Sequence, residues 1–134
     1  MEPVALIIAP HPDDAEIAMG GTIVSLVKQG VKVVLVDLTD GEPTPHGSVE
    51  IRARETAAAT TILGVVERRQ LDLKNREVFD TVENRKKVAS VIREVQPTLL
   101  FGPYWDDVHP DHVQAAALVE SARFYAKFVK SDLP

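Results

Sequence analysis

The sequence contains no cysteine among its 134 residues. Disulfide bonds are therefore impossible, and so is any metal site built from thiolates. A metal ion in this protein would have to be held by imidazole and carboxylate groups. The missing thiols thus restrict the possible metal ligands to histidine, aspartate and glutamate.

Long apolar runs and an excess of positive charge are also missing. The apolar stretch 4–9 is too short to cross a membrane and lacks the basic segment of a signal peptide. Fifteen basic residues against twenty acidic ones give a formal net charge of −5, which argues against a nucleic-acid partner. We therefore expect a cytoplasmic protein that binds neither membrane nor nucleic acid.

The length and composition fit one soluble domain over residues 1–134. Hydrophobic residues make up 45% of the chain and charged residues 26%. Both values are near the averages for globular proteins, so we expect a packed core and not a disordered chain.

Short apolar runs alternate with stretches of helical periodicity, a pattern typical of buried strands covered by helices. The predicted strands are 4–9, 31–38, a weak strand at 70–73, and 98–101. The predicted helices span about 16–29, from the capping Ser48 to Gly64, from Thr81 to the residues before Pro97, and onward from a capping Asp111. This order predicts an α/β fold, a Rossmann-like three-layer sandwich with a mostly parallel sheet.

Each predicted helix has one face that we expect to point toward the core. These faces carry Ile17, Gly20, Gly21, Val24 and Val27; then Ile51, Ala58 and Ile62; then Val88, Ala89, Ile92 and Val95; and finally Ala115, Leu118, Val119 and Ala122. Close packing of helix on strand explains the glycine pair better than phosphate binding does. No dinucleotide fingerprint or P-loop is present.

Two histidine motifs follow predicted strands, at the edge of the sheet where such folds bind ligands. They are His11-Pro12-Asp13-Asp14 and His109-Pro110-Asp111-His112. No Lys or Arg lies within ten residues of the two adjacent aspartates, so these carboxylates call for another cation. Two histidines and one carboxylate form a zinc set with a position left for water, which indicates a metal-activated hydrolase. One of the two aspartates would bind the metal while the other takes the proton of the water.

Simpler explanations compete with these assignments. Asp13 or Asp14 can cap the helix that follows, and the second motif can be a helix start with a capping Asp111 and two exposed imidazoles. The pair Tyr104-Trp105 either belongs to the core or faces a sugar ring, and His46 is expected to be a solvated loop residue. The presence of both motifs at strand ends favours the metal site.

Four segments together resemble the LmbE/PIG-L-like zinc deacetylases, which act on N-acetylglucosaminyl compounds. The segments are 9–16, 19–22, 37–42 and 109–112, in family order through essentially the whole chain. The likeness is greatest to the bacterial branch that includes the deacetylases of bacillithiol biosynthesis. The resemblance implies that His11, Asp14 and His112 bind Zn²⁺ or another divalent metal, with Asp13 as the general base.

The resemblance also implies roles beyond the metal ligands. His109 would stabilise the oxyanion or serve as an acid, and Asp111 would orient the His109 ring. Arg52 and Glu42 would bind substrate, although a solvated helix position explains Arg52 equally well. Many relatives have Asp where this chain has Asn75, and this difference affects an expected contact with a sugar hydroxyl.

We therefore expect a zinc-dependent hydrolase that removes the acetyl group from a small molecule containing N-acetylglucosamine. Relatives are generally longer, so the chain is expected to be the N-terminal portion of the family domain, and a homo-oligomer is expected. The main alternative is a zinc-binding or assembly module of the same fold that is catalytically incomplete. A metal-dependent esterase or phosphoesterase is disfavoured, because phosphoryl sites often use two metals and the ligands for one are visible.

Overall fold

A computed structural model describes residues 2–128; the ends of the predicted domain, residues 1 and 129–134, lie outside that range. Four strands alternate with four helices over the described residues. In chain order they are β1 (Val4–Ala9), α1 (Asp14–Lys28), β2 (Lys32–Asp37), α2 (Val49–Leu63), β3 (Glu67–Gln70), α3 (Val82–Val95), β4 (Leu99–Phe101) and α4 (Pro110–Tyr125).

The four strands form one parallel sheet in the order β3-β2-β1-β4. In its register, Ala5 of β1 pairs with Val33 of β2 on one side and with Leu99 of β4 on the other. The strands on the two sides of β1 are reached by connections running in opposite directions, so a topological switch point lies between β1 and β4. The loops that follow β1 and β4 therefore meet at the carboxyl edge of the sheet.

Helices cover both faces of the sheet. Ile7 of β1 packs in one buried cluster with Ile23 of α1, whereas Leu6 and Ile8 pack in a second cluster with Leu118 of α4. Because both faces are buried, β1 and β2 are almost continuously apolar. The predicted α/β sandwich with a parallel sheet is confirmed.

The predicted helix boundaries are confirmed where the sequence supplies a cap. The hydroxyls of Ser48 and Thr81 accept hydrogen bonds from the backbone N–H groups of Ile51 and Asn84, at 3.2 and 3.1 Å. Gly64 ends α2 in the left-handed conformation, with φ of 78°, which glycine adopts without strain. The predicted inner residues of α3 and α4 lie in or against the core. None of the helices within residues 2–128 is long and apolar enough to span a membrane.

The prediction for the third strand is wrong: β3 runs from Glu67 to Gln70 and not over 70–73. This strand lies at the edge of the sheet, and its side chains form ion pairs instead of filling a core. A charged edge strand has no apolar alternation. The apolar residues of the segment 70–73 therefore gave the stronger strand signal.

The predicted core face of α1 is wrong at its start. Ile17 is 80% exposed, and a Cβ atom built on Gly20 or Gly21 would meet no atom within 4 Å, which excludes close packing at the glycine pair. The cause is a kink at Met19, where φ of −147° and ψ of 27° interrupt the helix. Residues before and after the kink therefore do not share one continuous helical face.

The predicted core face of α2 is also wrong. Ile51, Ala58 and Ile62 are exposed, and the helix contacts the core through Leu63. The helix packs against α1, and its Thr60 lies 3.4 Å from the guanidinium of Arg68 in β3. The side of the helix nearest Arg68 thus carries a polar residue, which apolar periodicity does not indicate.

Candidate metal centre

The loop after β1 turns back on itself and directs the His11 ring toward Asp14. The backbone N–H groups of Asp13 and Asp14 both donate to the carbonyl of His11, and the backbone N–H of His11 donates to Asp14 Oδ2 at 3.0 Å. This Asp14 oxygen also lies 3.1 Å from His11 Nδ1. The buried histidine thus presents one ring nitrogen to the carboxylate three residues later.

His112 reaches the same carboxylate from the first turn of α4. Its Nε2 lies 3.3 Å from Asp14 Oδ1, and its Nδ1 lies 3.0 Å from Asp107 Oδ2. Asp14 therefore lies between two imidazoles that are about a hundred residues apart in sequence. Burial alone would raise the pKa of Asp14, but the hydrogen bond from His11 and the charge of His112 outweigh it and lower that pKa.

The Asp111 carboxylate is buried and contacts His11. Its Oδ2 lies 2.8 Å from His11 Nε2 and accepts a second hydrogen bond from the backbone N–H of Arg76 at 2.9 Å. Asp111 was expected to orient the ring of His109, and it contacts that ring through its backbone N–H, whereas its side chain contacts His11. Burial opposes the protonation of His11, but Asp14 and Asp111 together raise its pKa.

The residue that caps α4 is His109 and not the predicted Asp111. His109 Nδ1 accepts the backbone N–H of Asp111 at 3.0 Å, so the imidazole itself serves as the helix cap. The His109 ring stacks on His112, with centroids 4.7 Å apart and planes at 10°. The Nε2 of His109 is the ring nitrogen that this capping bond leaves available beside the centre.

Asp13 occupies the cap position of α1 but makes no capping hydrogen bond through its side chain. The carboxylate is 52% exposed and lies 3.5 Å from the guanidinium of Arg52. Partial desolvation and the charge of Asp14 raise the pKa of Asp13, and these effects outweigh the opposite influence of Arg52. Arg52, which lies in the helix α2, thus places a positive charge beside Asp13 and Asp14.

An open cavity of about 470 Å³ brings Asp13, Glu42 and Arg52 together. Both predicted substrate-binding residues therefore line the same cavity as the aspartate. The Glu42 carboxylate accepts hydrogen bonds from the backbone N–H and hydroxyl of Thr44, which hold it within the loop after β2. Asn75 lies in the wall of a neighbouring cavity that also includes Glu42.

The exposure of Tyr104, Trp105 and His46 decides the alternatives that the sequence left open for these side chains. Tyr104 and Trp105 are both exposed, with ring centroids 4.3 Å apart, so the interpretation of this pair as core is wrong. Tyr104 lines a smaller cavity of about 290 Å³ together with Asp14 and His112. His46 is an exposed loop residue, as predicted.

Two overlapping groups of side chains have the chemistry and spacing to hold a divalent ion. The ligand atoms of His11, Asp14 and His112 lie within 4.8 Å of one another, and so do those of His11, His109 and Asp111. In the first group, the second ring nitrogen of each histidine faces a carboxylate, Asp111 for His11 and Asp107 for His112. Paired imidazoles with such outer partners are typical of zinc centres, so the residues fit the ion.

Two residues that support this centre were not predicted from the sequence. Asp107 contacts His112 and accepts the backbone N–H of His109 at 2.9 Å, but an exposed aspartate in a loop has no distinguishing pattern. Arg76 donates its backbone N–H to Asp111 from a left-handed conformation, with φ of 69°. The distinguishing feature of Arg76 is its positive φ, and an arginine residue does not indicate that conformation in the sequence.

The sheet and the side chains at its switch point define an α/β protein with a candidate divalent-metal centre. The chain belongs to the PIG-L family, described as GlcNAc-PI de-N-acetylase, which it matches over residues 6–123. This match confirms the resemblance seen in the two histidine motifs.

Three similar proteins illustrate the family. The chain is 38% identical to a diacetylchitobiose deacetylase of Thermococcus kodakarensis, over 96% of this chain and 53% of the relative. It is 32% identical to a probable N-acetyl-alpha-D-glucosaminyl L-malate deacetylase 2 of Bacillus anthracis, over 87% of this chain and 58% of the relative. The crystal structure of the conserved protein TT1542 from Thermus thermophilus aligns with a TM-score of 0.94 and 36% identity, over 100% of this chain and 60% of that one. The chain thus spans somewhat more than half the length of these proteins.

Proposed function

We propose that this domain is a metal-dependent N-deacetylase of the cytoplasm that removes the acetyl group from a small molecule containing N-acetylglucosamine. The observation that carries the proposal is the position of Asp14, which lies 3.1 Å from His11 Nδ1 and 3.3 Å from His112 Nε2. Zn²⁺ is the proposed ion, because two imidazoles and one carboxylate form a common catalytic zinc set that leaves one position open.

We assign the ion to His11, Asp14 and His112 rather than to the second group. The Asp111 carboxylate is buried, and its Oδ2 already contacts the ring of His11 and the backbone N–H of Arg76, so an ion bound there would compete with the contact that orients His11. A carboxylate on the far nitrogen of a ligating histidine fixes the tautomer and raises its basicity. Asp111 and Asp107 are positioned for that role on His11 and His112.

The proposed reaction divides the work between Asp13 and His109. A divalent ion held at this centre would supply polarisation of the acetamide carbonyl and a water with a pKa of about 7. Asp13 accepts the proton of the attacking water and passes it to the leaving amine, and a raised pKa suits a carboxylate that must do both. Because His109 Nδ1 accepts the N–H of Asp111, its proton lies on Nε2, and this N–H donates a hydrogen bond to the developing oxyanion.

The proposed substrate is an N-acetylated amino sugar that extends into the cavity beside Asp13. Two relatives, by their names, act on diacetylchitobiose and on an N-acetylglucosaminyl malate, which share the N-acetylglucosamine unit. Arg52 and Glu42 line this cavity and offer a cation and a carboxylate for polar groups on the sugar or its substituent.

Acetate release tests the proposal. The zinc-loaded protein is incubated with N,N'-diacetylchitobiose, and acetate is measured for the wild type, Asp13→Asn and the control Glu120→Gln. Glu120 is an exposed residue of α4 that pairs with Arg123. We expect release by the wild type and the control, and almost none by Asp13→Asn. Equal release by all three would contradict the proposed site.

A second candidate is a metal-binding or assembly module that does not turn over substrate. The observation that favours it is the share of the relatives' length that the chain spans, which is 53% and 58% for the two curated relatives. This alternative predicts one bound metal per chain without acetate release by the wild type.

A further inference from the structure

The first turn of α1 is separated from the rest of its helix. The non-helical dihedral angles of Met19 divide residues 14–18 from the remainder, and the Cβ positions of Gly20 and Gly21 face open space. Ile17 is exposed, so this turn contributes the methyl group of Ala15 to the core. A segment that carries Asp14 and follows Asp13 therefore gains little orientation from the helix body.

Arg68 of the edge strand β3 reaches this turn. Its guanidinium contacts Glu16 through two nitrogens, at 3.0 and 3.2 Å. The same guanidinium forms a two-point contact with Asp37 at the end of β2, at 2.7 and 3.0 Å. Glu16, Asp37 and Arg68, which we name the Arg68 cluster, connect three elements through one planar group.

The burial of the Arg68 cluster makes these contacts strong. The side chains of Arg68 and Asp37 are 7% and 3% exposed, and that of Glu16 is 22% exposed. Charge-assisted contacts of the two-point kind fix both distance and orientation, and shielding from water strengthens them. Glu16 lies two residues beyond Asp14, within the same helical turn, so what holds Glu16 also limits the position of Asp14.

We propose that Arg68 and Glu16 are positioning residues that fix the first turn of α1, and with it Asp13 and Asp14, against the carboxyl edge of the sheet. The link to metal binding rests on the proposed function, whereas the link to the order of the turn does not. The nearby Arg69 has no such role, since its partners Glu67 and Glu94 lie at the surface away from the loop after β1.

The test uses Glu16→Ala, with Glu67→Ala as the matched control and Glu16→Gln as the conservative variant. Replacing Arg68 itself would strand the buried Asp37 carboxylate and risk unfolding, whereas Glu16→Ala leaves the Arg68–Asp37 pair intact. Zinc affinity is measured by competition with a chromophoric chelator. We expect about a tenfold weaker affinity for Glu16→Ala, near-normal affinity for Glu67→Ala, and substantial recovery in Glu16→Gln, which keeps an oxygen for Arg68.

Hydrogen exchange of the metal-free protein provides the second readout. The backbone amide of Ile17, which donates to the carbonyl of Asp13 at 3.0 Å, is expected to exchange about tenfold faster in Glu16→Ala, while the amides of β1 keep their wild-type rates. Wild-type exchange in this turn overturns the proposal, and so does an unchanged zinc affinity alongside faster exchange. If the wild type binds no zinc, the proposed function fails and the exchange measurement alone decides the role of the Arg68 cluster.

Discussion

Asp107 Oδ2 lies 3.0 Å from His112 Nδ1, while Asp107 Oδ1 accepts the backbone N–H of His109 at 2.9 Å. One carboxylate therefore fixes the start of α4 and the ring of the histidine that faces Asp14. With an ion bound between His112 Nε2 and Asp14, the Asp107 contact would keep the proton of His112 on Nδ1, since an ionised carboxylate can only accept. Asp111 has the corresponding relationship to His11 from the opposite side of the centre.

The first prediction concerns this outer carboxylate. Asp107→Ala is expected to weaken zinc binding about 10-fold to 100-fold, because His112 loses the partner that fixes its tautomer and orientation. Chelator competition measures the affinity, with Asp106→Ala as a control at the exposed neighbouring position. Equal affinities of the two variants would show that Asp107 does not support the centre.

Asp13→Asn is expected to retain zinc and lose most of its turnover. An amide cannot accept a proton from water, whereas the Asp13 carboxylate makes no contact that the ligand set requires. Metal content and acetate release are measured on the same preparation. Loss of zinc by this variant would mean that Asp13 and Asp14 have exchanged roles.

His109→Ala is expected to retain zinc and lose about 10²-fold or more in turnover, the scale observed when one oxyanion donor is removed. The ring caps α4 through Nδ1, so the variant also tests whether the cap matters for folding. A thermal melt of the same sample separates the two effects. Near-normal acetate release would remove His109 from the reaction, and loss of zinc would favour the group formed by His11, His109 and Asp111.

Much of the centre could be predicted from sequence because its two motifs follow strands with strong apolar signals. β1 and β4 place His11 and His109 at the same edge of the sheet once the sheet is parallel, and Ser48 and Thr81 mark helix starts by their own hydroxyl groups. These are local signals, each readable within a few residues of the feature it specifies.

The features that sequence did not reveal depend on contacts between distant residues. The partner of Asp111 is His11, a hundred positions away, and no local pattern distinguishes that contact from one to His109. The bounds of β3 were not predicted correctly because Arg68 is stabilised by Asp37 and Glu16 instead of by apolar neighbours. Likewise, the contact of Thr60 in α2 with Arg68 cannot be predicted from apolar periodicity.

The pairing of Asp80 with Arg85 gives a prediction for stability. The Asp80 carboxylate contacts Arg85 at 2.6 and 3.0 Å and accepts the hydroxyl of Ser121 at 3.1 Å, which connects α3 to α4. The hydrogen bond from Arg85 outweighs partial burial and lowers the pKa of Asp80. Asp80→Asn is expected to lower the melting temperature by about 4 °C at pH 7.

The pH dependence of that difference has a definite sign. Because the folded-state pKa of Asp80 is below its unfolded value of about 3.9, the ionised carboxylate stabilises the fold above that value. The benefit is lost as the pH falls through the lowered pKa, so wild type and Asp80→Asn should converge at acidic pH. Thermal melts from pH 7 to pH 3 measure this, with Asp106→Asn as an exposed control. A difference that grows toward pH 3 would contradict the assignment.

The ligand set is tested most directly by a crystal structure of the zinc-loaded protein. We predict that the ion is bound by His11 Nδ1, one oxygen of Asp14 and His112 Nε2, with Asp111 and Asp107 still hydrogen-bonded to the far ring nitrogens. An ion bound instead by His11, His109 and Asp111 would contradict the assignment of the metal centre and the roles given to Asp13 and His109.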